Sequence, residues 1–314
     1  MKKVVFALIT LLFAIEMTAQ ESQTAYNLLR LPISAHVAAL GGDNITIIED
    51  DATLVFHNPA LIGGVTDKTI NLNYMTYMAG TKTASGSFVK ALGERSTMAV
   101  MAQYMDYGDI FETNTSGEKL GKLKAKDIMV GGTFQYNLSE RWAGGISAKF
   151  ISSSIAGYNS AALGVDLGLN YFDEDHGWSV SAVAKNLGGQ VKAYNDEYER
   201  IPLDLQLGFS KEFAFAPARV SLTMSRINSW EGRFINHFAL GVDVFLSQNI
   251  YIAGGYNFGR ADEMQVSDGE NSSAHGAGLS IGGGLQLKRF KFHVAYAKYH
   301  VSASSLLFNA SFSL

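Results

Sequence analysis

From about residue 68 onward, apolar and polar residues alternate along the chain. In residues 163–171 every second residue is apolar, and the residues between them are polar or glycine. Residues 203–209 and 308–314 repeat this pattern. A period of two places one set of side chains on each face of a β-strand. The pattern therefore predicts a chain of β-strands, each with one apolar face and one face that is polar or small.

Fourteen segments follow this pattern, and the number is even, as it is in bacterial single-chain barrels. The predicted strands span about residues 68–78, 82–91, 95–106, 126–138, 141–153, 159–172, 177–187, 201–212, 217–228, 233–247, 249–258, 276–288, 290–300 and 304–314.

The connections between these strands alternate in length. Short turns are predicted at residues 137–141, 173–177, 247–249 and 288–290, whereas the three longest non-alternating stretches are residues 107–125, 188–200 and 259–275. Outer-membrane barrels have short periplasmic turns and longer extracellular loops. The alternation therefore indicates a barrel with both ends on the periplasmic side.

A β-sandwich is the alternative to a membrane barrel, because its strands alternate too. Sandwich strands are shorter, and their polar face carries many Lys, Glu and Thr residues, whereas here that face is rich in Gly, Ser and Asn. Aromatic residues lie near the predicted strand ends, as in the interfacial girdles of membrane barrels: Tyr74, Tyr77, Tyr104, Tyr107, Trp142, Tyr171 and Trp178. The sequence thus favours a transmembrane antiparallel β-barrel of about 14 strands.

The composition agrees with this class. Charged residues make up 17% of the chain, against about 25% in ordinary globular proteins. No later stretch reaches the roughly 18 consecutive apolar residues of a transmembrane helix, which excludes a helical membrane protein. The net charge of −4 gives no indication of nucleic acid as a partner.

The first residues resemble a secretory signal peptide. Lys2 and Lys3 precede an apolar run over residues 4–15 and the small-residue stretch 17–19, which predicts a signal peptide over residues 1–19. A retained helical anchor is the weaker alternative, because about 20 residues are needed to cross a bilayer. The chain has no cysteine, so lipoprotein anchoring, disulfides and thiolate chemistry are excluded.

Residues 20–66 differ from the alternating part of the chain. They contain the small apolar run 35–40, a turn signal at residues 41–44 and several further apolar residues. A fourteen-stranded barrel has a lumen too wide for side chains alone to fill, so this segment is predicted to be an N-terminal plug. An unstructured periplasmic leader is the alternative. The predicted division is therefore signal peptide 1–19, plug 20–66 and barrel 67–314.

No catalytic, cofactor-binding or metal-binding residues are predicted. The seven histidines lack metal-ligand spacing, and residues 276–284 suit a strand with small inward residues better than a dinucleotide motif. Five charged residues are candidates for the lumen, where they either line a polar path or, as we favour, pair with one another: Lys149, Asp166, Lys185, Asp204 and Asp243. Four lysines in the loop 108–127 suit a solvated loop, or alternatively a lipopolysaccharide phosphate: Lys119, Lys122, Lys124 and Lys126.

Several short motifs resemble the PorQ family, outer-membrane components of the type IX secretion system of Bacteroidetes. They are YNLLRLPISA at residues 26–35, ALGG at 39–42, NPAL at 58–61, NLNYM at 71–75 and YHVSASSL at 299–306. The NPAL element is shared more widely with FadL-like fatty-acid channels. The PorQ family and the related PorV family are similar to that fourteen-stranded group, which has an N-terminal segment inside the barrel.

The resemblance implies a non-enzymatic protein that is integral to the outer membrane, with loops at the cell surface. It would anchor the surface protein PorZ in an attachment complex with PorU and PorV, which processes secreted cargo and joins it to lipopolysaccharide. A FadL-like channel for hydrophobic or small solutes is the alternative, because the fold supports both functions. A membrane-embedded hydrolase is a third class, but no local motif supports it.

Overall fold

The computed structural model describes residues 24–116, 118–230, 232–264, 266–267, 272–273, 276–300 and 303–314. The predicted signal peptide, residues 1–19, lies outside the described residues. In the described part of the chain, no helix is long and apolar enough to cross a membrane.

Eighteen strands are present in the described residues. They are β1 (Thr69–Thr76), β2 (Lys82–Ala91), β3 (Ser96–Asp106), β4 (Ile110–Thr113), β5 (Lys119–Leu123), β6 (Ala125–Asn137), β7 (Trp142–Ile155), β8 (Tyr158–Asp173), β9 (Trp178–Lys192), β10 (Asp204–Glu212), β11 (Ala218–Met224), β12 (Phe238–Ser247), β13 (Ile250–Asn257), β14 (Val266–Ser267), β15 (Ser272–Ser273), β16 (Leu279–Gln286), β17 (Phe290–His300) and β18 (Ala303–Ser313).

Fourteen of these strands form one closed antiparallel barrel, which confirms the predicted fold class. The order around the barrel is β1, β18, β17, β16, β13, β12, β11, β10, β9, β8, β7, β6, β3 and β2. Closure occurs where β1 pairs with both β2 and β18. Because every strand has two hydrogen-bonded neighbours, the barrel has no exposed sheet edge.

The side chains on the barrel alternate in the opposite sense from those of a water-soluble protein. On β1, Ile70, Leu72 and Tyr74 point outward and are 40%, 65% and 41% exposed, whereas Asn71 and Asn73 between them are buried in the lumen. Leaving a large apolar side chain in water costs about 1.5–3 kcal/mol relative to burying it. An outer surface of this kind therefore requires an apolar solvent, the hydrocarbon of a bilayer.

The two ends of the barrel differ. We call one the turn end, because its connections are short, as at residues 138–141 and 174–177. We call the other the loop end, because it carries the long connections, which include residues 107–124 and 193–203. The barrel begins at Thr69 and ends at Ser313, and both residues lie at the turn end.

The predicted loops were only partly correct. Residues 107–125 contain the hairpin of β4 and β5, whose polar and apolar residues do not alternate. Strand β9 continues to Lys192, so the predicted loop 188–200 begins too early. Strand β12 begins at Phe238 instead of residue 233, because Phe234–His237 form a 3-10 helix. The predicted loop 259–275 overlaps helix α2 (Phe258–Glu263).

The aromatic prediction was also partly wrong. Trp142 and Trp178 face outward at the turn end, and Tyr74 and Tyr104 face outward towards the loop end, as in interfacial girdles. Tyr77 and Tyr107, however, pack against a buried apolar cluster that includes plug residues. They lie just beyond the ends of β1 and β3, where the strand alternation no longer fixes the direction of a side chain.

The described part of the plug, residues 24–66, lies in the lumen. Its elements are a 3-10 helix at Asn27–Arg30, helix α1 (Ala35–Ala39) and 3-10 helices at Ala52–Phe56 and Pro59–Gly64. Polar side chains begin the later elements: Ser34 accepts from the backbone of Val37, and Asn58 accepts from that of Ala60. Such caps allow helices of four to six residues to form where tertiary packing supports them.

The plug runs through the barrel from one end to the other. At the loop end, the backbone N–H of Ala25 donates to the carbonyl of Arg200. At the turn end, the hydroxyl of Thr69 donates to the carbonyl of Thr66. The lumen is therefore occupied along its length by a separate segment of the same chain.

Candidate functional site

Glycines on the inner face of the barrel seat the plug. A Cβ atom on Gly208 would lie 2.7 Å from Cγ1 of Ile45, and one on Gly241 would lie 2.7 Å from Cδ2 of Leu40. Other inward glycines on the wall approach the plug as closely: Gly145, Gly168, Gly255 and Gly282. Because a side chain at these positions would displace the plug, plug and wall are packed to van der Waals contact.

A buried ion cluster ties the plug to the wall. His36 of α1 places Nδ1 2.7 Å from Oε1 of Glu49, also in the plug, and Nε2 2.6 Å from Oδ1 of Asp243 on β12. The second oxygen of Asp243 accepts from Nε of Arg219 on β11 at 2.8 Å. One imidazole therefore joins two parts of the plug to the barrel.

The electrostatics of the cluster favour a charged imidazole. Burial lowers the pKa of His36, but the nearby carboxylates of Glu49 and Asp243 outweigh it and raise the pKa to about 9. For Glu49 burial acts in the opposite direction and raises the pKa, but the positive charge of His36 outweighs it, so the pKa is lowered. At neutral pH the cluster is thus an ion-paired network in the lumen.

Two further wall side chains complete the surroundings of His36. The Tyr251 ring stacks on the imidazole with a centroid distance of 3.9 Å, and its hydroxyl lies 2.7 Å from Nδ1 of His293. Nearby, Lys291 forms an ion pair with Asp50 of the plug. Charged groups of plug and wall therefore meet at two places on this side of the barrel.

Of the five predicted lumen residues, Lys149 and Asp166 form an ion pair with each other. Nζ of Lys149 lies 2.7 Å from Oδ2 of Asp166, with both side chains buried. Lys185 and Asp204 lie opposite each other in the register of β9 and β10. Asp243 belongs to the plug cluster. The structure therefore brings these residues into three separate groups instead of one continuous polar path.

One apolar part of the inner wall is rich in methionine. Met101 and Met105 on β3, Met129 on β6 and Ile151 on β7 point inward and are at most 4% exposed. They form one buried cluster with plug residues Tyr26, Leu28, Val55 and Ile62. Inward positions on the same strands include polar residues such as Thr97, Gln103 and Ser147, and the plug covers this Met-rich lining.

Two of the four predicted loop-end lysines have local partners. Nζ of Lys122 lies 2.8 Å from Oδ2 of Asp109, and Nζ of Lys119 lies 3.8 Å from the centroid of the Phe111 ring. The β4–β5 hairpin that carries them leaves Ile110, Phe111 and Leu120 exposed. This is consistent with a solvated loop, which also presents apolar side chains at its surface.

Sequence reasoning missed the ion cluster. His36 lies in the run 35–40 of otherwise small and apolar residues, where a lone polar side chain was the only available signal. The partners Arg219 and Asp243 are distant in sequence, and no local motif links them to the plug. In the described residues, no group of three or more His, Asp or Glu side chains is arranged to hold a metal ion.

Comparisons with known proteins give a fold but no family. No family model matches the sequence, and no curated protein matches it. Among solved structures, the Pseudomonas putida toluene transporter TodX is 12% identical, with a TM-score of 0.61 over 91% of this chain and 99% of that one. The CymD monoaromatic hydrocarbon channel is 15% identical, with a TM-score of 0.60 over 92% and 99%.

A FadL homologue from Pseudomonas aeruginosa is 11% identical, with a TM-score of 0.52 over 90% of this chain and 98% of that one. Residues 69–313 are about 78% of the chain, so a match over 90% includes plug residues as well as the barrel. At this identity the likeness concerns the fold alone. The chain has the fold of the FadL-like outer-membrane barrels, with an N-terminal plug.

Proposed function

We propose that this protein is a non-enzymatic outer-membrane channel for hydrophobic solutes, and that the plug closes it in the conformation described here. The apolar outer surface supports insertion into a bilayer, and the loop end would then face the cell surface, surrounded by outer-leaflet lipid and lipopolysaccharide. The shared fold supports a channel, because the similar structures are described as hydrocarbon channels and transporters.

The observation that carries the proposal is the Met-rich lining. A wall that only had to hold water or a polar plug would present polar residues throughout. Methionine is unbranched and adapts its shape to different apolar surfaces. Once the plug segment over Met101, Met105 and Met129 moves, these side chains expose an apolar surface inside the lumen. An apolar solute would replace the contacts that the plug makes now.

A proteoliposome experiment tests this function. Purified protein is reconstituted, and uptake of a small aromatic hydrocarbon and of a fluorescent fatty acid is compared with uptake by protein-free liposomes. The triple variant Met101→Gln, Met105→Gln, Met129→Gln keeps the side-chain length but makes the lining polar, so we expect uptake to fall. The matched variant with Leu at the three positions keeps the lining apolar and should retain uptake. Uptake that is equal in the Gln and Leu variants, or absent from the unmodified protein, would contradict the proposal.

A second candidate is an anchor in a type IX attachment complex. We propose this role as the alternative, with PorZ as the surface partner and PorU and PorV in the same complex. Two observations support it: the PorQ-like motifs, and the projecting β4–β5 hairpin, whose Ile110, Phe111 and Leu120 are 38%, 38% and 63% exposed. Exposed apolar side chains grouped at one place are typical of protein-binding surfaces.

The hairpin allows a test of this alternative that leaves the barrel intact. Replacement of residues 109–123 by a short Gly-Ser linker removes β4 and β5, whereas β3 and β6 remain paired over residues 96–106. Affinity purification from native outer membranes should then lose the surface partner if the hairpin is the docking site. Normal surface attachment of secreted cargo in a strain that lacks the whole protein would rule out the anchor role.

A further inference from the structure

Two segments at the loop end are joined across the mouth of the barrel. We call residues 226–230 and 232–237 together with helix α2 the lid. Arg226 forms an ion pair with Glu263, and Arg233 forms one with Asp262. The amide nitrogen of Asn236 also donates to Asp262, at 2.6 Å. Each ion pair joins one exposed and one partly buried side chain, and exposed ion pairs contribute only about 0–1 kcal/mol each.

The inner side of α2 is attached differently, through a buried arginine. Arg260 is only 7% exposed and donates to the carbonyl oxygens of Ala277 at 2.6 Å, Gly278 at 3.0 Å and Gly41 at 3.4 Å. Its guanidinium carbon lies 4.5 Å from the centroid of the Tyr299 ring. Arg260 thus contacts the plug, the two residues that precede β16, and Tyr299 on β17.

Asn257, the cap of α2, contacts the same part of the plug. Its amide nitrogen donates to the carbonyl of Gly41 at 3.0 Å and to Oδ2 of Asp43 at 2.9 Å, while its oxygen accepts from the backbone of Arg260. Gly41 and Gly42 have φ values of 101° and 99°, which other residues rarely adopt. The plug turn at residues 41–43 is therefore a defined structure that the lid holds by its backbone.

We infer that α2 is the loop-end gate of this channel, and that it moves together with plug residues 41–43. The inference rests on the proposed function. The contacts between α2 and residues 226–230 and 232–237 are two partly exposed ion pairs and one amide hydrogen bond. Those of α2 and its cap Asn257 with the plug are buried hydrogen bonds from a charged group and an amide. Buried charge-assisted bonds are the stronger kind. Opening therefore separates the two halves of the lid first, and α2 then draws the plug turn with it.

Accessibility of the plug to a thiol reagent tests the coupling without any transport measurement. The chain has no cysteine, so Thr46→Cys introduces a single thiol close to the plug turn at a buried position. In this background, Arg260→Ala should raise the labelling rate by a membrane-impermeant maleimide about tenfold, because a buried charged hydrogen-bond donor is lost. Arg141→Ala, which removes an exposed arginine at the turn end, should leave the rate unchanged.

A second variant guards against misfolding of Arg260→Ala. Asn257→Ser keeps a capping hydroxyl for α2 but is too short to reach Gly41, so it should also raise the labelling rate. Unchanged labelling in both variants would overturn the coupling. Increased labelling without any uptake of hydrophobic solute by the unmodified protein would support the coupling and instead remove the channel function. Increased labelling together with increased uptake would support both.

Discussion

Nε2 of His36 in the plug lies 2.6 Å from Oδ1 of Asp243 in the barrel wall, although 207 positions separate the two residues in the sequence. The other ring nitrogen is bound to Glu49, so both nitrogens donate when the imidazole is charged. The Asp243 carboxylate is fully buried, and the Glu49 side chain is only 11% exposed. The charge of one side chain therefore contributes to holding the plug in place.

We expect His36→Gln to destabilise the folded protein strongly. Glutamine cannot supply the positive charge, so Glu49 would lose its cation and Asp243 would keep only Arg219. Removing one partner of a buried ion pair costs about 3–5 kcal/mol. Urea unfolding in detergent micelles, followed by circular dichroism, measures the loss. The control is His176→Gln, because His176 is 68% exposed and its pairing with Asp173 is screened by water. Equal effects of the two substitutions would argue against the cluster as the plug anchor.

Stability should also fall at alkaline pH because of the same histidine. The pKa of His36 is raised from its ordinary 6.5 to about 9, so the folded state binds the proton more tightly than the unfolded state does. The contribution is fully present below about pH 6.5 and is lost as the pH rises through about 9. Unfolding midpoints measured between these values should decline for the unmodified protein. They should decline much less for His36→Gln, and parallel declines would assign the effect to other groups.

The barrel could be predicted from the sequence because the alternation that marks each strand is visible in neighbouring residues. Alternation with a period of two gave all fourteen barrel strands, since the bilayer and the lumen impose opposite polarity on successive residues of each strand. The contacts of the plug carry no such signal. Gly254 and Gly255 are adjacent glycines, yet only Gly255 contacts the plug. His36 and Asp243 come together only when the barrel has closed. Loop hairpins such as β4–β5 were missed because their residues are exposed on both faces.

Those two adjacent glycines provide a matched test of plug packing. A Cβ atom on Gly255 would collide with the backbone of Leu40 and Gly41, whereas one on Gly254 would meet no atom closer than 3.9 Å. Overpacking of this kind costs about 1–3 kcal/mol, so Gly255→Ala should lower stability and expose the plug to protease. Gly254→Ala should change stability by no more than about 0.5 kcal/mol. Limited proteolysis and urea unfolding of both variants measure the difference, and similar behaviour would mean that the plug is not held by this contact.

The ladder between β8 and β9 is interrupted within the barrel wall. Between Val165 and Leu167 the register of β8 against β9 shifts, and Asn186 on β9 has a φ of 59°. Side chains replace the lost ladder contacts: Asp166 accepts from the backbone of Asn186 at 2.7 Å, and Nζ of Lys149 donates to Oδ1 of Asn186 at 2.6 Å. Asparagine tolerates this left-handed conformation better than most residues. Three polar side chains, those of Lys149, Asp166 and Asn186, thus connect the strands where the ladder is interrupted.

We expect Lys149→Met to destabilise the barrel by about 3–5 kcal/mol, because it leaves the buried carboxylate of Asp166 without its cation. Adding Asp166→Asn should recover much of this loss, since an amide still accepts from the backbone of Asn186 and carries no charge that burial penalises. Urea unfolding of the single and double variants measures the recovery. The control is Lys122→Met, whose pair with Asp109 is exposed on both sides and should contribute less than about 1 kcal/mol. If the double variant were as unstable as Lys149→Met alone, packing of the lysine stem, and not its charge, would be what closes the wall.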